Sequence, residues 1–126
     1  MTTPMVLVVE DDLQVQRAIR RVHWRTEIAF AMTLADARAQ IVKHFNRLVV
    51  VVLDGDIEPD TTIELIGILK SHGNYGGLLV AHSANRSLLE EMTRRGCTHA
   101  ILKGEKPFFE CMTAILQAHS PQICIT

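Results

Sequence analysis

The sequence predicts an α/β fold in which a parallel sheet is covered by helices on both faces. Short apolar runs that read as strands alternate along the chain with segments whose apolar residues recur at helical spacing. Two of the runs, Met5–Val9 and Leu48–Leu53, are wholly apolar, which is typical of parallel strands buried on both faces. Each run is followed directly by acidic residues, which indicates a shared polar pocket at one edge of the sheet.

The size and composition of the chain favour a single domain. The 126 residues allow one buried core, and we expect one domain over residues 1–126. A net charge of −1 gives no general attraction to nucleic acid or membranes. No run approaches the ~18 apolar residues of a spanning helix, and the start, Met1–Pro4, lacks the basic region of a secretory signal. We therefore expect a cytoplasmic protein that binds neither nucleic acid nor membranes directly.

The cysteine pattern indicates a reducing environment. An odd number of widely spaced cysteines, without a CxxC pair, does not form a disulfide framework or a metal-ligand set. We expect free thiols that act as small apolar side chains. The cysteines are Cys97, Cys111 and Cys124.

The first half of the chain predicts three strands and two helices. A helix is expected from about Asp12, whose side chain suits the N-cap, to His23. Its buried stripe contains four apolar residues at helical spacing: Val15, Ala18, Ile19 and Val22. A short strand is expected over residues 27–32, and a capping box at Thr33–Asp36 opens the second helix. The third strand is Leu48–Leu53.

The second half continues the alternation. Another capping box, Thr61–Glu64, opens the third helix, which the turn-forming residues 71–77 end. The fourth helix is capped by Gly96, and Pro107 suits the first position of the last helix. The remaining elements are a strand at Leu78–Ala81, a helix at Asn85–Arg95 and a strand at Thr98–Leu102.

Strict alternation of strands and helices predicts the topology. Right-handed crossovers with short loops favour a doubly wound, flavodoxin-like (βα)5 sheet with strand order 2-1-3-4-5. The first and third strands are neighbours in that order, so their carboxyl ends bring Glu10, Asp11 and Asp54 together. The fourth and fifth strands place Ser83 and Lys103 beside the same pocket.

This set of residues suits phosphoryl transfer. Clustered carboxylates repel one another unless a cation or protons neutralise them, and oxygen-only ligands select a hard ion such as Mg²⁺. A carboxylate such as Asp54 can attack phosphorus and form an aspartyl phosphate. That reaction needs a fixed cation on the transferring oxygens, which Lys103 can supply, while Ser83 can donate a hydroxyl hydrogen bond.

These residues resemble those of the CheY-like receiver domain of two-component response regulators, over almost the whole chain. The segment Val6–Asp12 is similar to the family's first-strand motif, whose acidic pair falls on Glu10 and Asp11. Asp54, after a run of valines, is similar to the phosphoacceptor. Two further matches lie in the expected order along the chain, the family's Ser/Thr at Ser83 and its lysine at Lys103.

The resemblance implies a role in a phosphorelay. A sensor histidine kinase or histidine phosphotransfer protein would donate a phosphoryl group from phosphohistidine to Asp54. Mg²⁺ would be held by Asp11, Asp54 and the backbone carbonyl of Asp56, with Glu10 acting through water. The protein would catalyse only its own phosphorylation and dephosphorylation. The phosphorylated form would alter the face of helix four, strand five and helix five toward a downstream partner, an attached output domain or a second copy.

Two departures from the family pattern concern the output. The family carries an apolar residue and a proline at the third and fourth positions after the phosphoacceptor, where this chain has Ile57 and Glu58, with Pro59 one residue later. Ala100 occupies the position of the family's switch Tyr or Phe. An aromatic switch cannot operate through Ala100, so coupling would run through another residue or be absent.

The site lysine has two candidate registers. Lys103 keeps the family's spacing from Gly96 but is followed by Gly104, whereas Lys106-Pro107-Phe108 mimics the family's Lys-Pro-Phe triplet. We favour Lys103 and keep Lys106 as the alternative.

Two other functions remain open. One is a degenerate pseudo-receiver that acts as an interaction module independent of phosphorylation. The other is a small flavodoxin-like phosphatase or hydrolase, which the absence of a CxxxxxR loop and of a Gly-rich phosphate loop disfavours.

Overall fold

The computed structural model describes residues 3–21, 23–24, 26–57, 60–104, 107–119 and 124–125. A central sheet of five parallel strands has the order β2-β1-β3-β4-β5, so the predicted flavodoxin-like topology is confirmed. The strands are β1 Met5–Val9, β2 Glu27–Ala31, β3 Leu48–Asp54, β4 Leu78–Ser83 and β5 His99–Leu102. The helices are α1 Leu13–Arg20, α2 Leu34–His44, α3 Ile63–Gly73, α4 Arg86–Arg95 and α5 Phe108–His119. Short antiparallel pairs join residues 23–24 to 124–125 and 56–57 to 60–61.

The sheet is buried on both faces, which explains why its strands are continuous apolar runs. Successive residues of β3 pack on opposite sides: Val51 and Leu53 face α2, α3 and α4, whereas Val50 and Val52 face α1 and α5. The first layer includes helix residues Ile41, Leu65, Ile66, Leu69, Leu89 and Met92. The second includes Ile19, Met112 and Leu116.

Helix boundaries follow from local hydrogen bonds. The side chains of Asp12, Thr33 and Asn85 accept backbone N–H groups at the starts of α1, α2 and α4. Gly96 ends α4 at a φ of +134°, a conformation that a residue with a Cβ rarely adopts. The predicted caps at Asp12, Thr33 and Gly96 are thus confirmed.

The first helix differs from its prediction. Helix α1 ends at Arg20, before the predicted His23. Ala18 is exposed, while Gln16 is buried and its Nε2 donates to the carbonyl of Glu10 at 2.6 Å. The predicted apolar stripe is therefore wrong at Ala18, and a polar residue takes part of the buried face because the end of β1 offers it an acceptor. Val22 lies outside the described residues.

The third helix and the fourth strand also differ from prediction. The capping box predicted at Thr61–Glu64 is wrong, because the N-cap of α3 is Thr62 instead of Thr61. The side chain of Thr62 makes no bond to the start of α3, and its hydroxyl donates to the carbonyl of Asp54. Strand β4 extends beyond Ala81 to Ser83. The extension is stabilised because the backbone N–H of Gly55 donates to the carbonyl of His82.

The two cysteines whose side chains are described, Cys97 and Cys111, are free thiols. Burial raises the pKa of the Cys97 thiol to about 12, so this thiol stays protonated and unreactive. The side chain of Cys124 lies outside the described residues. In the described ranges, every helix is too short or too polar to cross a membrane.

Candidate functional site

Three acidic side chains meet at the carboxyl end of the sheet. Strands β1 and β3 pair in a register that places Val9 opposite Leu53, so Glu10 and Asp54 follow side by side. One carboxylate oxygen from each of Glu10, Asp11 and Asp54 lies within 4.8 Å of the other two. Glu10 and Asp54 are buried, whereas Asp11 is half-buried. The structure thus brings these three predicted site residues together.

Asp54 is held by backbone contacts on both sides. It is the last residue of β3 and 4% exposed. The hydroxyl of Thr62 donates to its carbonyl oxygen at 2.7 Å, and the N–H of Thr62 donates to the carbonyl of Gly55 at 3.2 Å. Gly55 in turn donates to the carbonyl of His82 at 3.0 Å. The carboxylate therefore projects from a backbone that the start of α3 and the end of β4 both restrain.

Lys103 supplies the cation of the site. Its Nζ donates to Asp54 Oδ1 at 3.1 Å and lies 3.7 Å from Glu10 Oε1. The N–H of Lys103 donates to the carbonyl of Ser83, which ties the end of β5 to the end of β4. Burial lowers the pKa of Lys103, but the charges of Glu10 and Asp54 outweigh it, and the pKa lies above its ordinary value. The ammonium group is therefore charged at neutral pH.

Glu10 is the carboxylate of the cluster whose charged form is least favourable. Burial, followed by its hydrogen bond with Asp54 and the charge of that residue, raises the pKa of Glu10 to about 8. Its Oε2 accepts the N–H of Asp12 at 3.2 Å, but its Oε1 is buried without a hydrogen-bond partner among the described residues. Glu10 Oε1 lies 3.7 Å from the Lys103 ammonium, and beside two other carboxylates it fits a divalent cation. The oxygen-only donors suit Mg²⁺.

Ser83 lies on the other side of Asp54. It is the last residue of β4 and is 1% exposed, and its Oγ accepts the N–H of Asn85 at 3.0 Å. The structure places it at the strand end where the sequence predicted it, on the strand that neighbours β3.

Two predicted residues fall partly or wholly outside the described structure. The backbone of Asp56 forms a short strand pair with Thr61, but its side chain is not described. The alternative lysine, Lys106, lies outside the described residues. So do Glu58 and Pro59, in the loop after Asp54 that differs from the family pattern.

Sequence reasoning missed three residues that shape the site. Gln16 supports the carbonyl of Glu10, and Thr62 supports that of Asp54. His82 is buried beside Ser83, and its ring packs on Phe108 with a centroid separation of 5.0 Å. Burial, with a contribution from the charge of Lys103, lowers the pKa of His82 to about 4, so the imidazole is neutral. The only signal for His82 was its position next to a predicted site residue.

Ala100 leaves open space on the side of β5 that faces α4. It is exposed and borders a surface cavity of about 390 Å³ whose other walls come from α4. The other lining residues are Leu89, Glu90, Thr93 and Arg94. A methyl group cannot cover this cavity.

Comparison by sequence finds neither a matching protein-family model nor a matching curated protein. Comparison of the fold finds many CheY-like response regulator receiver domains that cover most of the chain. A receiver domain from Methanospirillum hungatei JF-1 has a TM-score of 0.77 at 16% identity, with 96% of this chain and 97% of that chain covered.

Two other solved structures give a similar result. A receiver protein from Pseudomonas putida has a TM-score of 0.74 at 17% identity, covering 94% of this chain and 99% of that chain. A chain of the CheX-CheY-BeF3-Mg+2 complex from Borrelia burgdorferi has a TM-score of 0.74 at 14% identity, covering 91% of this chain and 88% of that chain. At these identities the likeness establishes the receiver fold.

Proposed function

We propose that this chain is a receiver domain that accepts a phosphoryl group on Asp54 from a phosphohistidine on a partner protein, in a Mg²⁺-dependent reaction. The observation that carries the proposal is the contact of Lys103 Nζ with Asp54 Oδ1 at 3.1 Å, inside a cluster of three carboxylates. An ion pair that only stabilised the fold would gain nothing from two further acids at the same point, because their repulsion opposes folding. Phosphoryl transfer requires both the acids and the cation.

Each residue has a role in the transfer. A carboxylate oxygen of Asp54 attacks phosphorus and forms the O–P bond, while the P–N bond to the donor imidazole breaks. The bonding pair stays on the leaving nitrogen, which then takes up a proton. Lys103 neutralises charge on the transferring oxygens, and the Ser83 hydroxyl donates a hydrogen bond to one of them.

Glu10, Asp11 and Asp54 would hold the metal, with the backbone carbonyl of Asp56 completing the protein ligands. Bound Mg²⁺ would supply charge neutralisation for the phosphoryl group. Phosphorylation would then change the affinity of the α4–β5–α5 face for a downstream partner. We further propose that residues 1–126 act as one receiver unit.

A small phosphodonor tests the reaction. The protein is incubated with phosphoramidate and Mg²⁺, and its intact mass is followed. We expect one added phosphoryl group that needs Mg²⁺ and is absent in Asp54→Asn. Asp36→Asn, an exposed aspartate on α2, is the matched control and should retain the adduct. An adduct that persists in Asp54→Asn would contradict the proposal.

A second candidate function is a pseudo-receiver that binds its partner without phosphorylation. The exposed Ala100, in the position of the family's aromatic switch, favours this candidate. A pseudo-receiver should bind its partner equally well as the wild type and as Asp54→Asn. It should also form no phosphoryl adduct and bind no Mg²⁺. Turnover of a small phosphate ester by the Asp54→Asn variant would instead support a hydrolase.

A further inference from the structure

Two histidines meet at the end of β5 that is remote from the acidic cluster. His99 is the first residue of β5, and His119 is the last residue of α5. Their ring centroids are 4.8 Å apart, with the ring planes at 63°. Lys103 follows the far end of the same strand, so about 13 Å of extended chain separates the histidine pair from the carboxylates.

The ring of His99 is oriented by a hydrogen-bond network. Its Nδ1 lies 3.0 Å from Thr98 Oγ1. That hydroxyl donates to the carbonyl of Leu79 at 3.1 Å and accepts the N–H of Leu79 at 3.0 Å. Because the hydroxyl hydrogen of Thr98 is directed at the Leu79 carbonyl, Thr98 Oγ1 must be the acceptor in its contact with His99, and Nδ1–H of His99 is the donor. This arrangement favours the tautomer whose Nε2 carries the lone pair, and metal-bound histidines are oriented in the same way.

The helix end beside the pair favours a bound cation. His119 is exposed at the carboxyl end of α5, where the helix dipole is negative. Burial, followed by the charge of His119, lowers the pKa of His99 below its ordinary value. A neutral imidazole is the form that binds metal.

We propose that His99 and His119 together bind a transition-metal ion of the Zn²⁺ type through their imidazole nitrogens, with water in the remaining positions. Nitrogens that share a tetrahedral zinc at about 2.0–2.1 Å lie about 3.3 Å apart, which needs rings about as close as these. Imidazole suits Zn²⁺, Ni²⁺ and Cu²⁺, whereas the carboxylate cluster selects hard ions. Together with the proposed Mg²⁺ site near Lys103, the described residues would then hold two metal sites of different chemistry, one near each end of β5.

Zinc titration followed by NMR of the imidazole Hε1 protons tests this site. The untagged protein is titrated with ZnCl₂ in the presence of excess Mg²⁺, which occupies the carboxylate cluster. We expect the resonances of His99 and His119 to shift together to a one-to-one end point. His99→Gln and His119→Gln should each weaken Zn²⁺ binding by about tenfold or more, because one imidazole ligand remains.

His44→Gln is the matched control, because His44 lies on α2 and its ring contacts Arg47 instead of a second histidine. This variant should bind Zn²⁺ as the wild type does. Circular dichroism of all variants shows whether the fold is retained. Unchanged affinity in His99→Gln, or binding that is lost only in Asp11→Asn, would overturn the proposal. Neither result depends on phosphorylation of Asp54.

Discussion

The hydroxyl of Thr62 donates a hydrogen bond of 2.7 Å to the carbonyl oxygen of Asp54. This bond joins the start of α3 to the end of β3, directly behind the proposed phosphoacceptor. Thr62 is fully buried, so water cannot replace the bond when it is lost.

Replacing Thr62 by valine should therefore destabilise the protein by about 1 kcal/mol while keeping the shape of the side chain. We also expect slower phosphorylation of Asp54, since its backbone is less restrained. Urea unfolding and the rate of adduct formation measure the two effects. Thr61→Val, at the exposed neighbouring position, is the control and should change neither. A stable Thr62→Val protein with an unchanged rate would contradict this role.

The raised pKa of Glu10, about 8, makes stability depend on pH in the absence of divalent cations. The folded state holds a proton that the unfolded state releases above about pH 4.5, so the free energy of unfolding falls as pH rises from about 4.5 to 8. Glu10→Gln should remove this dependence and stabilise the protein by about 1–2 kcal/mol at pH 8.

Denaturant unfolding in EDTA across this pH range measures the effect of Glu10→Gln. Adding Mg²⁺ should raise the stability of the wild type at pH 8, and it should raise the stability of Glu10→Gln by less. A difference between the two proteins that stays constant with pH would show that Glu10 does not retain its proton.

Substitution of the site lysine separates the two sequence registers. Lys103→Gln should lower the rate of phosphorylation by phosphoramidate about tenfold or more, because the Lys103 ammonium group no longer faces the transferring oxygens beside Mg²⁺. Lys106→Gln should leave the rate unchanged. The reverse result would assign the catalytic role to Lys106. Intact-mass time courses measure both variants.

The open space beside Ala100 predicts that a large side chain fits there. Ala100→Tyr should change the free energy of unfolding by no more than about 0.5 kcal/mol, because the position is exposed and borders a cavity. Urea unfolding measures this, and a loss above about 1.5 kcal/mol would mean that the cavity is not accessible to the new side chain. Partner binding by the phosphorylated variant would then report whether an aromatic residue restores a switch.

Two adjacent glycines provide a paired test of packing. A Cβ on Gly77 would lie 2.6 Å from the carbonyl oxygen of Val49 and 2.6 Å from Cζ of Tyr75, whereas one on Gly76 would meet nothing within 4 Å. Gly77→Ala should destabilise the protein by about 2 kcal/mol or more, because the backbone of β3 must move. Gly76→Ala should be neutral within about 0.5 kcal/mol. Equal effects in thermal unfolding would contradict the close approach of Gly77 to β3.

The topology was predictable because its signals are local. Continuous apolar runs, helical spacing and short loops identify the five strands and their order, and strand ends then place Asp54 near Glu10. Helix caps at Asp12 and Thr33 were likewise predictable, since a cap satisfies its own neighbours.

Residues whose partners depend on how two elements pack together were not predictable. Thr62 stands directly before α3, and its choice of the Asp54 carbonyl as acceptor depends on how α3 approaches β3. Gln16 interrupts an apolar stripe because the end of β1 offers its amide an acceptor. His99 and His119 belong to no sequence motif, and only the packing of α5 beside β5 brings their rings together.

By itself, the sequence determined the strand order and placed Glu10, Asp11, Asp54 and Ser83 at strand ends, because apolar runs and short right-handed connections are local signals. It left the site lysine open between Lys103 and Lys106. The tertiary structure decided the distances between those groups, the proton affinity of Glu10 and the space beside Ala100. Each of these depends on how far water is excluded and on which atoms approach from other elements. The order of neighbouring residues along the chain specifies neither.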